Sequence, residues 1–203
     1  NPALLAKTSA TIDSISRGRL ELGVGMGWQE EEYLTAGVPF EKRAEIFWET
    51  LEICQLLWRE SPASYNGNIY QFDDIWCQPQ PVQGADLPLL FGLKMTASNA
   101  QKIAQIGHGW IPIKTDEEFI SSGSELLSKA FKENNKDETP RIRGQLPTQL
   151  DDSGVPNLEL TLKQAEKSIA SGLTEIEIFP INFVRSKDDI VPVLKTISEL
   201  TNL

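Results

Sequence analysis

The chain has 203 residues, 40% of them hydrophobic and 24% charged, a composition that suits one soluble globular domain and excludes a disordered chain. Its 19 Lys+Arg against 29 Asp+Glu leave a formal charge of −10 with no Lys/Arg-rich run, which argues against nonspecific binding to nucleic acid or to an anionic membrane surface. No apolar run approaches the ~18 residues of a membrane span, the first apolar stretch is too short and amphipathic for a signal peptide, and Cys54 and Cys77 with one histidine form neither a disulfide framework nor a zinc spacing, so a reducing cytoplasm is the expected compartment.

Asn1-Pro2 reads as a helix cap followed by proline at the first helical position. The helix carries Leu4, Leu5, Ile12 and Ile15 and meets breakers at residues 16–18. A chain that starts on a cap residue implies upstream sequence, with a processed start as the alternative. Residues 19–24 (RLELGV) are the first strand candidate, followed by Gly25, Gly27 and Trp28 and then a long helical region. Within that region, 41–58 places Phe47, Leu51, Cys54 and Trp58 at helical spacing, with Glu45, Glu49 and Glu52 elsewhere on the helix. Residues 61–83 break the pattern. Tyr65-Asn66-Gly67-Asn68 signals a hairpin and Gln78-Pro79-Gln80-Pro81 an extended passage, so this stretch reads as a loop insertion in a single domain over 1–203.

The alternation of strand and helix then resumes. Residues 87–91 predict a second strand, 96–106 a helix and 109–113 a third strand. Thr115-Asp116-Glu117-Glu118 opens the next helix with a cap and early acids, and it runs to about Phe131. After a charged turn at 133–139, residues 141–147 predict a fourth strand, and 160–171 a helix closed by Gly172. Residues 174–179 (TEIEIF) predict a fifth strand, and 188–200 a last helix with Ile190, Val193, Leu194, Ile197 and Leu200 on one face.

Alternating strands and helices imply a parallel sheet covered by helices, open or closed into a barrel. Five strands cannot close a (β/α)8 barrel. The sheet is therefore open, or about three strands are absent; the start on a cap residue favours a partial barrel lacking its N-terminal strands. In either architecture, ligands bind at the carboxyl ends of the strands.

Two segments stand at such ends. Gly23-Val24-Gly25-Met26-Gly27-Trp28 follows the first strand, and its glycines admit close backbone approach to an anion or a flat ring. They equally serve a tight strand-to-helix turn, and the residues alone leave both readings open. Gly92-Leu93-Lys94-Met95-Thr96 follows the second strand and leads into a helix N-terminus, where free N–H groups and the macrodipole favour phosphate and Lys94 could add a charged contact. The alternative is that Thr96 only caps the helix and Lys94 points to water. His108 precedes its strand and so belongs on the face away from chemistry. No Ser/His/Asp constellation, nucleophile elbow or P-loop occurs. Cys54 falls on the apolar stripe and reads as packed and inert.

The run from Asn1 to Trp58 resembles the bacterial luciferase-like (luciferase-like monooxygenase) family. That family shows P-x-L-x-A-K…A-T-x-D-x-x-S-x-G-R, then G-V-G-x-G-W-x-x-x-E, then G-x-x-F-x-x-R and a helix ending in L-W; here these are residues 2–19, 23–32, 37–43 and 57–58. Residues 65–81 and 89–110 resemble its later segments. The resemblance covers the whole chain but only the later portion of the family's barrel. It implies an α/β partial TIM barrel with FMN, or the 5-deazaflavin coenzyme F420, at the carboxyl face. By the match, Gly25, Met26 and Gly27 would line the ring or its side chain, Glu31 would sit near that chain, and Gly92, Leu93, Lys94 and Thr96 would form part of the phosphate site. The family's paired glycine is here Gly92-Leu93-Lys94, and its Asp-Gly-Trp is His108-Gly109-Trp110. Its acid/base groups commonly come from early strands that have no counterpart here, so no catalytic residue is assigned.

The expected function is thus a flavin- or deazaflavin-dependent oxidoreductase or monooxygenase acting on a small organic molecule, homodimeric in its full-length form, this chain being inactive by itself. The rival reading is a non-catalytic flavoprotein-like binding or dimer partner. A metal-dependent hydrolase fits poorly with a single histidine.

Overall fold

The computed structural model describes residues 1–201, and the side chains of Leu200 and Thr201 in the last helix lie outside the described residues. The chain divides into two compact units: Asn1–Leu93 with Ile106–His108, and Lys94–Gln105 with Gly109–Leu203.

The first unit opens with α1 (Pro2–Ser16), whose N-cap Asn1 accepts a hydrogen bond from the Leu4 amide at 3.1 Å. Arg17 ends the helix in the left-handed region at φ 59° and Gly18 follows at φ 76°, so the chain turns sharply into β1 (Leu22–Val24). The helical region expected next is interrupted, with the short α2 (Glu30–Thr35) and a single tight turn over Phe40–Lys42 ahead of α3 (Arg43–Arg59), which carries the helical spacing expected over 41–58; Gly37 at φ 68° and Pro39 interrupt the path. A hairpin follows as expected, β2 (Ala63–Asn66) antiparallel to β3 (Gln71–Ile75). Then β4 (Leu89–Phe91) pairs parallel with β1 in the register Leu22↔Leu89, Gly23↔Leu90, Val24↔Phe91.

The core of this unit forms where α1 meets α3 and β4. Leu51, Ile53, Cys54, Leu57 and Trp58 of α3 are buried with Ala6 and Ala10 of α1. Trp58 Nε1 donates to the Ala6 carbonyl at 3.0 Å, and the Trp48 ring stacks on Phe91 with centroids 5.5 Å apart. Alanines on α1 let the two helices approach, and each fully buried large apolar side chain contributes roughly 1.5–3 kcal/mol.

Two buried carboxyl groups tie irregular chain to this core, and neither stands out in the periodicity. Asp13 accepts from the Leu20 amide at 3.3 Å and from the Gln83 amide and side chain at 3.1 and 2.8 Å. It therefore links the end of α1 to the entry of β1 and to the approach to β4. Glu49, which the helical pattern places among acids off the apolar stripe, is buried instead. It accepts from the Ile69 and Tyr70 amides at 3.0 and 2.7 Å and so fastens the hairpin turn to α3. Loop amides need partners when buried, and a carboxyl group takes several at once.

The second unit contains α4 (Ala97–Ile106), β5 (Gly109–Trp110), α5 (Glu117–Glu133), β6 (Arg141–Gln145), α6 (Leu158–Leu162), α7 (Ala165–Ala170), β7 (Glu175–Glu177) and α8 (Ile190–Thr201). Asp116 caps α5 by accepting from the Phe119 amide at 2.8 Å. The helix expected over 160–171 is broken in two. The Gln164 amide reaches back three residues to Thr161 rather than four, while the Thr161 hydroxyl is taken up by Asn157 and Gln149. β5, β6 and β7 are parallel, paired Trp110↔Ile142 and Arg143↔Glu175 among others. Trp110 and Ile142 face α5, where Gly123 lets the helix backbone close on the indole: a Cβ there would lie 2.3 Å from Trp110 Cη2. The opposite face of β6 and β7 carries Arg141, Arg143 and Gln145 beside Glu175 and Glu177. Glu175 bonds both arginines, Arg143 at 2.5 Å.

Among the described residues, five strands lie outside the hairpin, and the pairs β1–β4, β5–β6 and β6–β7 are parallel, as the alternation of elements implies. They are shorter than the sequence indicates: the ladder takes the carboxyl ends of the first two runs, Leu22–Val24 and Leu89–Phe91, and the starts of the next two, Gly109–Trp110 and Arg141–Gln145.

Two outcomes follow from these ties. Asp13→Ala leaves three donors without their acceptor and should lower unfolding free energy by about 2–4 kcal/mol, read as a lower urea midpoint. Burial pushes the Glu175 carboxyl up, but hydrogen bonds and charge from Arg141 and Arg143 outweigh it and hold it below the ordinary glutamate range. Its stabilising contribution is complete above the unfolded-state pKa of about 4.3 and fades as pH falls through the lower folded value. The stability gap between wild type and Glu175→Gln, measured by urea unfolding, should therefore be present at pH 7 and shrink below about pH 4.

Candidate active site

The parallel register of β1 and β4 places residues 25 and 92 side by side at the carboxyl ends of the two strands. The Gly92 amide donates to the Val24 carbonyl at 2.7 Å. A Cβ built on Gly25 would lie 3.2 Å from the Gly92 carbonyl oxygen, closer than side-chain-bearing residues normally tolerate. Glycine at 25 therefore permits the two turns to meet. Gly27 follows at φ +72°, a left-handed conformation that favours glycine.

The turn after β1 is braced from α2. Tyr33 donates its hydroxyl to the Met26 carbonyl, and its ring meets Phe40 edge-on with centroids 5.3 Å apart. Arg43 lies over the Phe40 ring at 3.9 Å and donates to the Phe40 carbonyl at 2.9 Å. Beside this turn is a cavity of about 300 Å³, whose walls include Val24, Gly25, Met26, Tyr33, Arg43 and Phe47.

The sequence-indicated residues separate on inspection. Gly25 and Met26 line the cavity and Gly92 adjoins Gly25. Leu93 is buried and takes its place in the core, so only its backbone is available to a ligand. Glu31 does not line this cavity; it lies on the exposed side of α2 with Glu32 and Thr35. Lys94 and Thr96 belong to the second unit and are exposed. Thr96 caps α4, its hydroxyl accepting from the Asn99 amide at 3.1 Å, and Asn99 in turn donates to the Lys94 carbonyl at 2.9 Å. Trp28 is 80% exposed and walls nothing.

His108 sits at the other end of β4. Its Nδ1 accepts from the Leu89 amide at 3.3 Å, and its own amide donates to the Leu89 carbonyl at 2.9 Å. Three residues of strand, about 10 Å, separate this point from Gly92. Among the described residues no group of three or more His, Cys, Asp or Glu could hold a metal ion, and no helix is long and apolar enough to cross a membrane. The link from Tyr33 to Met26 has no signal in sequence spacing, and Phe40 and Arg43 stand out in the sequence only as parts of G-x-x-F-x-x-R.

Glycine turns meeting at the carboxyl ends of parallel strands occupy the position where α/β folds place their ligand sites. The profile of the luciferase-like monooxygenases matches residues 1–155, and the chain belongs to that family. The uncharacterized protein Rv0953c of Mycobacterium tuberculosis is 36% identical over 142 residues, which is 70% of this chain and 50% of that protein; the chain thus spans about half the length of this relative. Among solved structures, an F420-dependent secondary alcohol dehydrogenase in complex with an F420–acetone adduct superposes with a TM-score of 0.80 at 16% identity, covering 98% of this chain and 75% of that one. The FMN-bound oxygenating constituent of 3,6-diketocamphane monooxygenase from Pseudomonas putida superposes with a TM-score of 0.61 at 18% identity, over 74% of this chain and 45% of that one. The fold is therefore that of the luciferase-like barrel enzymes.

Neither cysteine belongs to the site. Cys54 and Cys77 are fully buried, and burial followed by the neighbouring Cys77 pushes the Cys54 thiol up to about 12. Iodoacetamide at pH 8 should label neither thiol in the native protein and both in urea, as read by mass spectrometry.

Proposed function

We propose that this chain is the portion of a flavin- or deazaflavin-dependent oxidoreductase that presents the cofactor's ring to a small organic substrate. The observation that carries the reading is the meeting of Gly25 with Gly92 at the carboxyl ends of two parallel strands. Two turns with no side chain at their point of contact expose a strip of backbone, and a planar ring needs that kind of approach. The residues fit such a group: Gly25 and Gly27 are exposed and Gly92 is half-buried. FMN when bound supplies reduced-flavin chemistry toward oxygen, and coenzyme F420 supplies hydride transfer.

The chain's own residues would bind and orient. Gly25, Met26 and Gly27 would border the ring, with the Gly92 and Leu93 backbone beside it. Glu31 would lie toward the cofactor's side chain. In the second unit, Lys94 is exposed and cationic and would meet an anion without first giving up a buried partner, while the Thr96 hydroxyl serves as the cap of α4. No residue here is assigned the proton transfer. Leu4, Ile12 and Ile15 remain exposed along α1, which supports assigning this helix to a homodimer contact.

The test is titration of the full-length protein with reduced FMN and with coenzyme F420 separately, followed by fluorescence. One of the two should bind at micromolar concentration or tighter. Gly25→Val, which drives a branched side chain into the Gly92 carbonyl, should weaken binding at least tenfold while the protein still melts cooperatively. Binding of neither cofactor to the wild type would show the reading to be wrong.

A further inference from the structure

We propose that Tyr33 is a positioning residue for the cofactor site, acting through the Met26 carbonyl to hold the turn over 25–27 in its binding conformation. This rests on the reading above that the turn borders a flavin or deazaflavin.

The case starts from what the turn lacks. Residues 25–29 belong to no helix or strand. Among the described residues, Met26 and Gly27 make no hydrogen bond other than the one the Met26 carbonyl accepts from Tyr33. Gly27 occupies the left-handed region at φ +72°, and a glycine there has many other conformations open to it. A turn with a flexible glycine and no backbone ladder needs an external constraint to keep one shape. Tyr33 supplies it through the hydroxyl on Met26, from a ring whose edge would lie 3.7 Å from a Cβ on Gly27.

Tyr33 is itself held. Its ring is set edge-on against Phe40 at an interplanar angle of 77°. Phe40 is fixed by Arg43, which covers its ring at 3.9 Å and bonds its carbonyl at 2.9 Å. Arg43 has no carboxylate partner among the described residues, so its guanidinium serves the phenyl ring and the backbone rather than an ion pair. The chain from Arg43 through Phe40 and Tyr33 to Met26 runs from the first turn of α3 to the mouth of the cavity, and Met26, Tyr33 and Arg43 all line that cavity. Aromatic edge contacts and a cation over a ring are directional, so this arrangement sets the height and tilt of the hydroxyl.

Tyr33→Phe removes the hydroxyl and keeps the ring against Phe40 and Gly27. In the full-length protein, 15N relaxation should show the backbone order parameters over 25–27 falling from the rigid range of ~0.85 to below about 0.6, with the rest of the protein unchanged and the melting midpoint within about 3 °C. The dissociation constant for whichever cofactor the wild type binds should rise about five- to tenfold, while kcat at saturating cofactor stays within about twofold. Arg43→Lys, which keeps the charge but loses the planar contact on Phe40, should move both readouts in the same direction by less. Tyr65→Phe, which loses a hydroxyl bonded to Glu52 elsewhere in the same unit, should move neither. Unchanged order parameters over 25–27 in Tyr33→Phe overturn the proposal, as does unchanged affinity in a protein whose wild type binds. If the wild type binds neither cofactor, the functional reading fails, and the relaxation arm still decides whether Tyr33 holds the turn.

Discussion

The parallel pairing of β1 with β4 is the constraint on which the candidate site depends. Its register leaves Val24 opposite Phe91 as the last bridged pair, so the next residue on one strand and the next on the other must share the space above the sheet. Gly25 stands 3.2 Å, measured from where its Cβ would be, from the Gly92 carbonyl. Any side chain at 25 would push the turns apart. The closeness follows from strand spacing of ~4.8 Å combined with two chains that turn away in the same region. It converts a ladder end into a backbone surface with no side chain covering it.

Around this point, the most specific residues of the family signature prove to be ties rather than reactive groups. Asp13 gathers three donors from two separate stretches, Leu20 and Gln83. Phe40 and Arg43 support Tyr33, which supports the Met26 carbonyl. Glu49 lies outside the signature but does the same for the hairpin. Irregular segments carry backbone groups that no helix or ladder satisfies, and a few buried acceptors hold them in one conformation. In this protein the regular elements are short, and much of the chain near β1 depends on such contacts.

The second unit solves a different problem with the same means. One face of β5 and β6 is apolar and closed by α5, with Gly123 yielding its side chain to Trp110. The other face is a polar ladder in which Glu175 joins Arg141 and Arg143. Buried sheets usually carry apolar residues on both faces. Here period-two alternation within a parallel strand marks one face as polar, and the arginines and the glutamate satisfy one another across the β6–β7 register.

By itself the sequence determined the order of the elements, the cap at Asn1, the hairpin at 63–75 and the placement of glycine turns after the first two strands, because caps, turn residues and periodicity are local signals. The run of matching residues through 1–58 also pointed to the family. Only the tertiary structure decided that residues 25 and 92 touch, since strand pairing joins segments more than sixty positions apart and leaves no trace in either. It likewise decided that Glu49 is buried, that Leu93 is core, that Thr96 spends its hydroxyl on a helix cap, and that Tyr33 reaches Met26. Each of these outcomes depends on what another part of the chain brings to the same place, and the composition of a single segment does not contain that information.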